Sequence, residues 1–393
     1  MYDILYYVLA GIMTGIGGAW IFLIKSMTDS FRMAPYLDVF ENSSKSSPKV
    51  SVILPARNEE EFIGKCLESL LAQDYENYEI IAVDDSSEDG TGRIISECSK
   101  KHSEIVPVSA GPKPDGWMGK NWACMEGYKE ASGQLLLFTD ADTTYSKNVI
   151  SLAVAHLQSL KLDALSAIPR MQTFDFWTRI SLSMISVFLH TRFSALNVNN
   201  PAKNTGYFFG SFFILKRETY EGIGTHKGVR EEMIEDGALG KRTKEAGYKI
   251  RMVRGEHLIR AVWARNPSGL WNALKRLMVP LYLQSKKMAV GILLAVAFLL
   301  FVPFPVLAAS LLAGGEPAMV LCWTAGVASV LIYVGVAIEA RAGLGLKTAY
   351  AAFAPLGGLV VILGFLAGMK SASVVWRGRT YFMQGKKQDS ISV

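Results

Sequence analysis

Hydrophobic positions form short runs in the middle of this chain and long uncharged runs towards its two ends. Residues 50–55, 80–83 and 135–139 are short apolar runs, each flanked by polar turn residues. Such runs are typical of buried parallel strands. Between the first two, residues 59–73 carry apolar side chains at the spacing of an amphipathic helix. This alternation of strands and helices predicts an α/β domain with right-handed crossovers.

Four uncharged stretches reach the length of a helix that crosses a bilayer: residues 4–24, 288–315, 317–338 and 348–369. We therefore predict an integral membrane protein. Four full spans would place the basic C-terminal residues, including Lys386 and Lys387, on the side that basic segments usually avoid. Pro303 and Pro305 interrupt the second stretch and Pro355 weakens the fourth, so either is a candidate for a re-entrant or interfacial segment.

Composition divides the chain into six predicted regions. They are a transmembrane anchor (1–25), a linker (26–47), a globular domain (48–265), an interfacial amphipathic helix (266–287), a membrane region of about three hydrophobic segments (288–370) and a basic tail (371–393). Lys25 and Arg32 follow the first span, whereas Asp3 precedes it. Because basic residues collect on the cytoplasmic side of a membrane, we expect the globular domain to be cytoplasmic and the protein to lie in the cell membrane.

Charge and cysteine content exclude several classes of function. The net charge is +6, and the basic excess near the membrane ends suits anionic lipid head groups better than nucleic acid. We therefore expect the lipid bilayer, and no nucleic acid, as a partner. The four cysteines show neither metal-binding spacing nor a disulfide pattern. A dehydrogenase is disfavoured because no Gly-x-Gly-x-x-Gly motif follows a predicted strand.

Carboxylates follow the second and third apolar runs directly. Asp84 and Asp85 end the second run, and Asp140-Ala-Asp142 ends the third. Ligands of open α/β sheets bind beyond the carboxyl ends of the strands, so these acids should meet in one crevice. Asp140 and Asp142 suit Mg²⁺ or Mn²⁺, which commonly take one or two carboxylates together with substrate phosphates. The alternatives are a solvated acidic turn for this pair and a helix cap for Asp84 or Asp85.

The turn after the first apolar run carries a further set of candidate binding residues. Pro55, Arg57 and Glu59 follow residues 50–54 at the place equivalent to the aspartates. We expect them at the same crevice, with a first-turn helix acid as the alternative for Glu59. Together with the acids, they are typical of a site for a sugar nucleotide.

Glu235 and Asp236 are candidate residues further along the chain, and Lys120 is a candidate that precedes the third apolar run. Glu235-Asp236 is either an exposed acidic helix start or a source of the general base for a sugar transfer. Lys120, in a glycine-flanked turn, would contact a diphosphate or lie in solvent. We expect the side chains of Asp142 and Asp236 to be partly solvated.

Four ordered motifs resemble those of the family 2 glycosyltransferases with the GT-A fold. They are Pro55-Ala-Arg-Asn-Glu59, Asp84-Asp-Ser-Ser87, Asp140-Ala-Asp142 and Glu235-Asp236. The resemblance covers roughly residues 48–265 and implies a Rossmann-like mixed sheet with flanking helices. It also implies that Pro55, Glu59 and Asp85 surround the nucleoside, that Asp140 reaches ribose or metal, that Asp142 binds the metal and that Asp236 is the base. Inversion by single displacement, with a UDP-sugar as donor, follows from the same resemblance.

A narrower similarity links the chain to membrane-anchored members that glycosylate hydrophobic acceptors, of hopanoid-associated, carotenoid and ceramide types. Residues 114–123, 207–211 and 376–381 carry it. Processive synthases have Gln-x-x-Arg-Trp after the Glu-Asp pair, whereas this chain has Arg260-Ala-Val-Trp263. Arg260 would then contact phosphate, and transfer of a single sugar to a membrane lipid hydroxyl is the expected activity. The alternatives are a polyprenyl-phosphate glycosyltransferase and a catalytically silent module that binds nucleotide-sugar or lipid.

Overall fold

The computed structural model describes residues 2–40, 47–371 and 373–382. The helices in chain order are α1 (Tyr2–Met33), α2 (Ile63–Leu71), α3 (Thr91–Ser99), α4 (Gly119–Glu130), α5 (Val149–Leu160), α6 (Phe176–Arg192), α7 (Ala195–Asn199), α8 (Arg217–Gly222), α9 (Glu235–Glu245), α10 (Pro267–Gln284), α11 (Lys286–Leu300), α12 (Pro303–Leu311), α13 (Glu316–Ile338) and α14 (Ala354–Lys370). The strands are β1 (Val50–Ala56), β2 (Tyr78–Asp84), β3 (Ile105–Ser109), β4 (Leu135–Phe138), β5 (Thr143–Tyr145), β6 (Ala164–Ile168), β7 (Arg170–Thr173), β8 (Phe213–Lys216), β9 (Ile250–Arg254), β10 (Ile259–Ala264), β11 (Ser373–Trp376) and β12 (Arg379–Phe382).

The chain divides into two compact units. The sheet unit comprises Met33–Gln172 and Phe193–Val262. The helical unit comprises the described parts of Met1–Arg32, Thr173–Arg192 and Trp263–Val393. Helix α6 therefore belongs with the apolar helices, although its sequence lies inside the region 48–265 that we predicted as one globular domain.

The sheet unit is built on a seven-stranded mixed sheet of order β3-β2-β1-β4-β8-β6-β9 among the described residues. Strand β1 pairs in parallel with β2 and β4, whereas β8 runs antiparallel to its neighbours β4 and β6. Every residue of β1 is buried, as expected for a central strand covered by helices on both faces. The predicted α/β fold with a mixed sheet and flanking helices is confirmed, and the carboxyl ends of β1, β2 and β4 lie side by side.

The segment that follows α1 covers one edge of this sheet. Tyr36 forms a parallel bridge with Arg254 at the end of β9, and the Arg254 amide donates to the Pro35 carbonyl at 2.7 Å. The Arg254 guanidinium lies 4.6 Å from the centre of the Tyr36 ring. Covering an edge strand satisfies polar groups that would otherwise invite pairing with another chain. The predicted linker 26–47 is thus partly helix and partly sheet edge, and its residues 41–46 lie outside the described residues.

The helical unit contains the predicted apolar spans at both ends of the chain. Among the described residues, three helical stretches are long and apolar enough to cross a membrane: Asp3–Met33, Glu316–Gly343 and Thr348–Lys370. A further apolar pair, Lys286–Leu300 with Pro303–Leu311, is bent by 48°. The predicted interruption of this stretch by proline is confirmed, and the bent pair is either a broken span or a re-entrant segment.

Trp20 of α1 supplies a hydrogen bond that the bent pair lacks. In an unbroken helix the carbonyl of Leu299 would accept from the amide of residue 303, but that residue is proline, which has no N–H group. The indole Nε1 of Trp20 donates to the Leu299 carbonyl at 2.8 Å, and Trp20 is fully buried. An orphaned carbonyl in an apolar environment costs several kcal/mol, so this contact stabilises the bend.

The described part of the predicted basic tail is a β-hairpin rather than an irregular segment. Strands β11 and β12 pair antiparallel, and Arg377 and Gly378 turn the chain with φ angles of 48° and 77°. The guanidinium of Arg276, on α10, lies 5.3 Å from the centre of the Trp376 ring. The tail residues Lys386 and Lys387 lie outside the described residues.

Candidate active site

Lys120 is the cation at the centre of a cluster of carboxylates. It lies in the first turn of α4, and its Nζ is 2.7 Å from Asp140 Oδ1 and 2.6 Å from Glu235 Oε1. Burial alone would lower the pKa of Lys120, but Asp140, Glu235 and Asp236 outweigh it and raise the pKa well above its usual value. Lys120 is therefore a charged group inside the site, not a solvated loop lysine.

Asp236 is held by two backbone amides. Its Oδ2 accepts a hydrogen bond from Gly210 N and its Oδ1 accepts one from Gly237 N, both at 2.7 Å. Burial, followed by the nearby charge of Glu235, raises the pKa of Asp236 to about 7. A carboxylate with this pKa can both accept and release a proton near neutral pH, which is the property of an effective general base.

The first turn of α9 presents Glu235 and Asp236 to the site. The residue Glu235 is only 5% exposed, so the reading of this pair as an exposed acidic helix start is wrong for Glu235. Asn121, next to Lys120, anchors the preceding loop: its Nδ2 donates to the carbonyls of Val229, Arg230 and Glu232 at 2.8, 3.2 and 3.0 Å. These bonds connect the start of α4 to the chain that leads into α9.

Asp140 and Asp142 occupy the turn between β4 and β5. The Asp140 side chain is 35% exposed, and its backbone carbonyl accepts from Thr143 N at 3.2 Å. Asp142 is only 9% exposed, so our expectation that its side chain is partly solvated is wrong. The short turn and the packing beneath it explain this, because β4 is buried along its whole length.

The described residues contain no group of three or more His, Cys, Asp or Glu side chains placed to hold a metal ion. The turn nevertheless offers the one or two carboxylates that Mg²⁺ or Mn²⁺ takes when substrate phosphates and water complete its shell. Asp140 and Asp142 thus fit a metal that is bound together with a nucleotide, not a metal held by the protein alone.

Arg57 braces the turns after β1 and β2. Its Nη1 donates to the carbonyls of Asp85 and Ser86 at 2.6 and 2.5 Å, and its Nη2 lies 2.9 Å from Glu88 Oε1. Asn58 and Ser86 both have positive φ, 52° and 55°, which non-glycine residues rarely adopt and which is common near functional sites. Arg57 therefore fixes the shape of the crevice through these backbone contacts.

The remaining residues predicted at this edge are brought together there with different burial. Asp84 Oδ1 accepts from Ser87 N at 3.1 Å, a turn contact and not a cap of α3, whose first residue follows Gly90. Asp85 is 4% exposed and Glu59 is 5% exposed. Pro55 is buried within β1. Asp85 and Glu59 are therefore buried and are not surface acids. Burial of a carboxylate without compensation is costly.

Arg260 lies beside the Asp-x-Asp turn. It pairs with Thr144 in the three-stranded sheet of order β5-β10-β7, and it is exposed. Its pairing partner, Thr144, lies two positions after Asp142. The exposed Arg260 is therefore available to an anionic ligand at this turn.

The sequence analysis assigned no individual role to two residues of the site, although both lie in segments that carry the narrower similarity, 114–123 and 207–211. Asn121 has no assigned role because a buried asparagine looks like any polar residue on a helix. Gly210 contacts Asp236 only through its backbone amide, so no side chain marks it. Both roles depend on contacts between segments that are distant in sequence.

The sequence matches known proteins over its central region. Residues 51–224 match the family model described as glycosyl transferase family 2. The 4,4'-diaponeurosporenoate glycosyltransferase of Staphylococcus aureus, in strains USA300 and COL, is 25% identical over 210 residues, which are 52% of this chain and 54% of that protein. The chain thus spans about half the length of the curated relatives it matches.

A solved structure shares the fold over a longer stretch. The mannosyltransferase PcManGT from Pyrobaculum calidifontis, in complex with GDP-Man and Mn²⁺, is similar over 92% of this chain and 99% of that chain, with a TM-score of 0.56 and 18% identity. The matched family region contains β1 to β4 and the motifs at their ends, whereas Glu235, Asp236 and Arg260 follow it. Over residues 51–224 the sequence, with its motifs and mixed sheet, is thus similar to the glycosyl transferase family 2.

Proposed function

We propose that the chain is a metal-dependent, inverting glycosyltransferase that moves a sugar from a UDP-sugar to a hydroxyl group of a membrane lipid. The observation that carries this proposal is the meeting of Asp236 with Lys120 and Asp140 in one cluster, where a candidate base stands beside groups suited to a diphosphate. Asp236 is poised to gain a proton near pH 7, because its pKa is about 7.

The chemistry assigns each group a separate part of one displacement. Asp236 takes the proton of the acceptor hydroxyl while the hydroxyl oxygen of the acceptor attacks the anomeric carbon. The bond from that carbon to the diphosphate oxygen breaks. Attack opposite the leaving group inverts the anomeric centre. Lys120 offers positive charge to the departing nucleoside diphosphate. A divalent ion, held by Asp140 and Asp142 with the diphosphate, would neutralise more of that charge.

Two observations support a lipid acceptor. The relative in Staphylococcus aureus is named for glycosylation of 4,4'-diaponeurosporenoate, a lipid-type acceptor. The described part of the chain also has three helical stretches apolar enough to cross a membrane. Membrane attachment restricts enzyme and lipid to the same surface and raises the effective concentration of an insoluble acceptor.

The test is transfer of labelled sugar in a bilayer. Purified full-length protein in nanodiscs of native lipids is incubated with Mn²⁺ or Mg²⁺ and a panel of radiolabelled nucleotide sugars, and the lipids are extracted and chromatographed. We expect label from a UDP-sugar in a neutral lipid, lost on chelation with EDTA. Donor binding without any labelled lipid would instead support a silent binding module.

A second candidate acceptor is a polyprenyl phosphate, and the charge distribution of the helical unit favours it. Residues 263–287, 370–371 and 373–382 contain no acidic residue but several basic ones: Arg265, Lys275, Arg276, Lys286, Lys287, Lys370, Arg377 and Arg379. Segments with this excess of basic residues suit a lipid phosphate. In the nanodisc experiment, label in an anionic lipid that mild acid releases as free sugar would select this acceptor over a neutral one.

A further inference from the structure

Helix α9 packs against residues 206–210 through four glycines, which we call the glycine seam: Gly206, Gly210, Gly237 and Gly240. A Cβ atom on Gly240 would lie 2.5 Å from the Tyr207 carbonyl carbon, and one on Gly237 would lie 2.9 Å from Tyr207 Cε2. A Cβ on Gly206 would collide with the Gly240 carbonyl oxygen. The two backbones therefore approach as closely as they do only because these positions lack side chains.

Gly210 is the seam residue at the candidate active site. It is buried, and its amide donates to Asp236 Oδ2 at 2.7 Å. A Cβ at this position would lie 2.8 Å from Asp236 Oδ2 and 3.1 Å from Lys120 Nζ. The first distance is shorter than real Cβ contacts, so any side chain would displace the Asp236 carboxylate.

We propose that Gly210 is a positioning residue for sugar transfer: its amide orients the Asp236 carboxylate, and its missing side chain leaves room for Asp236 and Lys120 to share the site. This inference rests on the proposed role of Asp236 as the base. The Gly237 amide fixes the other oxygen at 2.7 Å. Two amides, one on each oxygen, determine the plane of the carboxylate. A single contact would leave the carboxylate free to rotate.

The alternative explanation is that Gly210 serves packing alone. Packing would predict that Gly210→Ala lowers stability and affects donor binding and turnover together. Positioning predicts a larger effect on turnover than on donor binding, because a Cβ on Gly210 would lie nearer Asp236 Oδ2 (2.8 Å) than Lys120 Nζ (3.1 Å), and the proposed metal ligands Asp140 and Asp142 also serve the diphosphate. A displacement of about 1 Å in a reacting group can cost about 10²-fold in rate.

The kinetic test compares Gly210→Ala with the wild-type chain in the same nanodiscs. We expect kcat to fall at least about tenfold, with KM for the donor within about twofold of wild type. Gly64→Ala is the matched control, because a Cβ there meets no atom within 4 Å, and its turnover should equal that of wild type. Wild-type turnover in Gly210→Ala, or parallel losses in donor binding and kcat, would overturn the inference. An inactive wild-type chain would count against the proposed function instead.

A second measurement tests the contact without any activity. Hydrogen exchange of the peptide containing the Gly210 amide is measured in wild type and in Asp236→Ala. We expect at least about tenfold faster exchange in the variant, because the amide loses its acceptor. Glu218→Ala, which removes a highly exposed acid, should leave that peptide unchanged. Equal protection in wild type and Asp236→Ala would refute the assigned contact whatever the enzyme transfers.

Discussion

Lys120 and Glu235 form an ion pair of 2.6 Å between the first turn of α4 and the first turn of α9. Both side chains are largely buried, with exposures of 14% and 7%. The pair therefore connects two elements of the sheet unit at the position where Asp140 and Asp236 also meet. A charge in this place supports the local structure and also lies where the proposed chemistry needs it.

Replacement of Lys120 by methionine should therefore lower both stability and activity. Lys120→Met keeps a side chain of similar length but leaves the buried Glu235 without its cation. Removing one partner of a buried pair typically costs about 3 kcal/mol or more. We expect a lower melting temperature and no detectable transfer. Lys129→Met, on the same helix but with a 52% exposed side chain, is the control and should change neither. A fully stable Lys120→Met protein would contradict the importance of this pair.

Asp142→Ala and Asp236→Ala should abolish transfer through different steps. Asp142 is a proposed metal ligand, so its loss should weaken nucleotide binding in the presence of Mn²⁺ at least about tenfold. Asp236 is the proposed base for the acceptor hydroxyl, so its loss should leave nucleotide binding nearly intact. Isothermal titration with UDP, with and without Mn²⁺, separates the two outcomes. Retained turnover in both variants would show that the site is assigned wrongly.

The rate of transfer should rise with pH through neutrality. A base works only when it is deprotonated, and burial together with Glu235 raises the pKa of Asp236 to about 7. Activity is therefore expected to be low at pH 5, half-maximal near the pKa of Asp236 and constant above it. The measurement is kcat/KM for the donor across this range, with donor binding recorded in parallel. An acid limb near the ordinary aspartate pKa of about 4 would argue against Asp236 as the base.

Asn121→Ala should loosen the loop that leads into α9. The substitution removes three hydrogen bonds to the carbonyls of Val229, Arg230 and Glu232. Leaving buried acceptors unpaired costs about 1–3 kcal/mol. We expect a lower melting temperature and reduced turnover, with faster amide exchange in residues 229–237. Asn77→Ala is the matched control, because Asn77 is exposed and donates one hydrogen bond to Ser47. Equal exchange in both variants would be inconsistent with an anchoring role.

The strand ends could be predicted from sequence because they depend on local signals. An apolar run followed by acids predicts carboxylates at the carboxyl end of a buried strand. Asp85, Asp140 and Asp142 all lie where that pattern predicts. The same reasoning predicted the apolar helices and the break near Pro303. These features depend on residues that are close together in the chain, so a short window of sequence contains the information.

Other features depend on contacts that a short window does not contain. The burial of Lys120 requires Asp140 and Glu235 to arrive from two different segments. The contact of Gly210 with Asp236 uses a backbone amide, which every residue except proline has. Helix α6 lies within the predicted globular region but packs with the apolar helices. Its composition alone suits either environment, so tertiary packing decides.

The hydrogen bond from Trp20 to Leu299 gives α1 a role that its hydropathy does not reveal. An unrelated apolar helix could tether the chain to a bilayer, but without an indole at this position the Leu299 carbonyl would lose the hydrogen bond that it accepts from Trp20. The first helix is thus an internal component of the helical unit, specified by side-chain chemistry as well as by hydrophobicity. Chimeras that exchange this helix would accordingly be expected to preserve attachment while altering the bent segment.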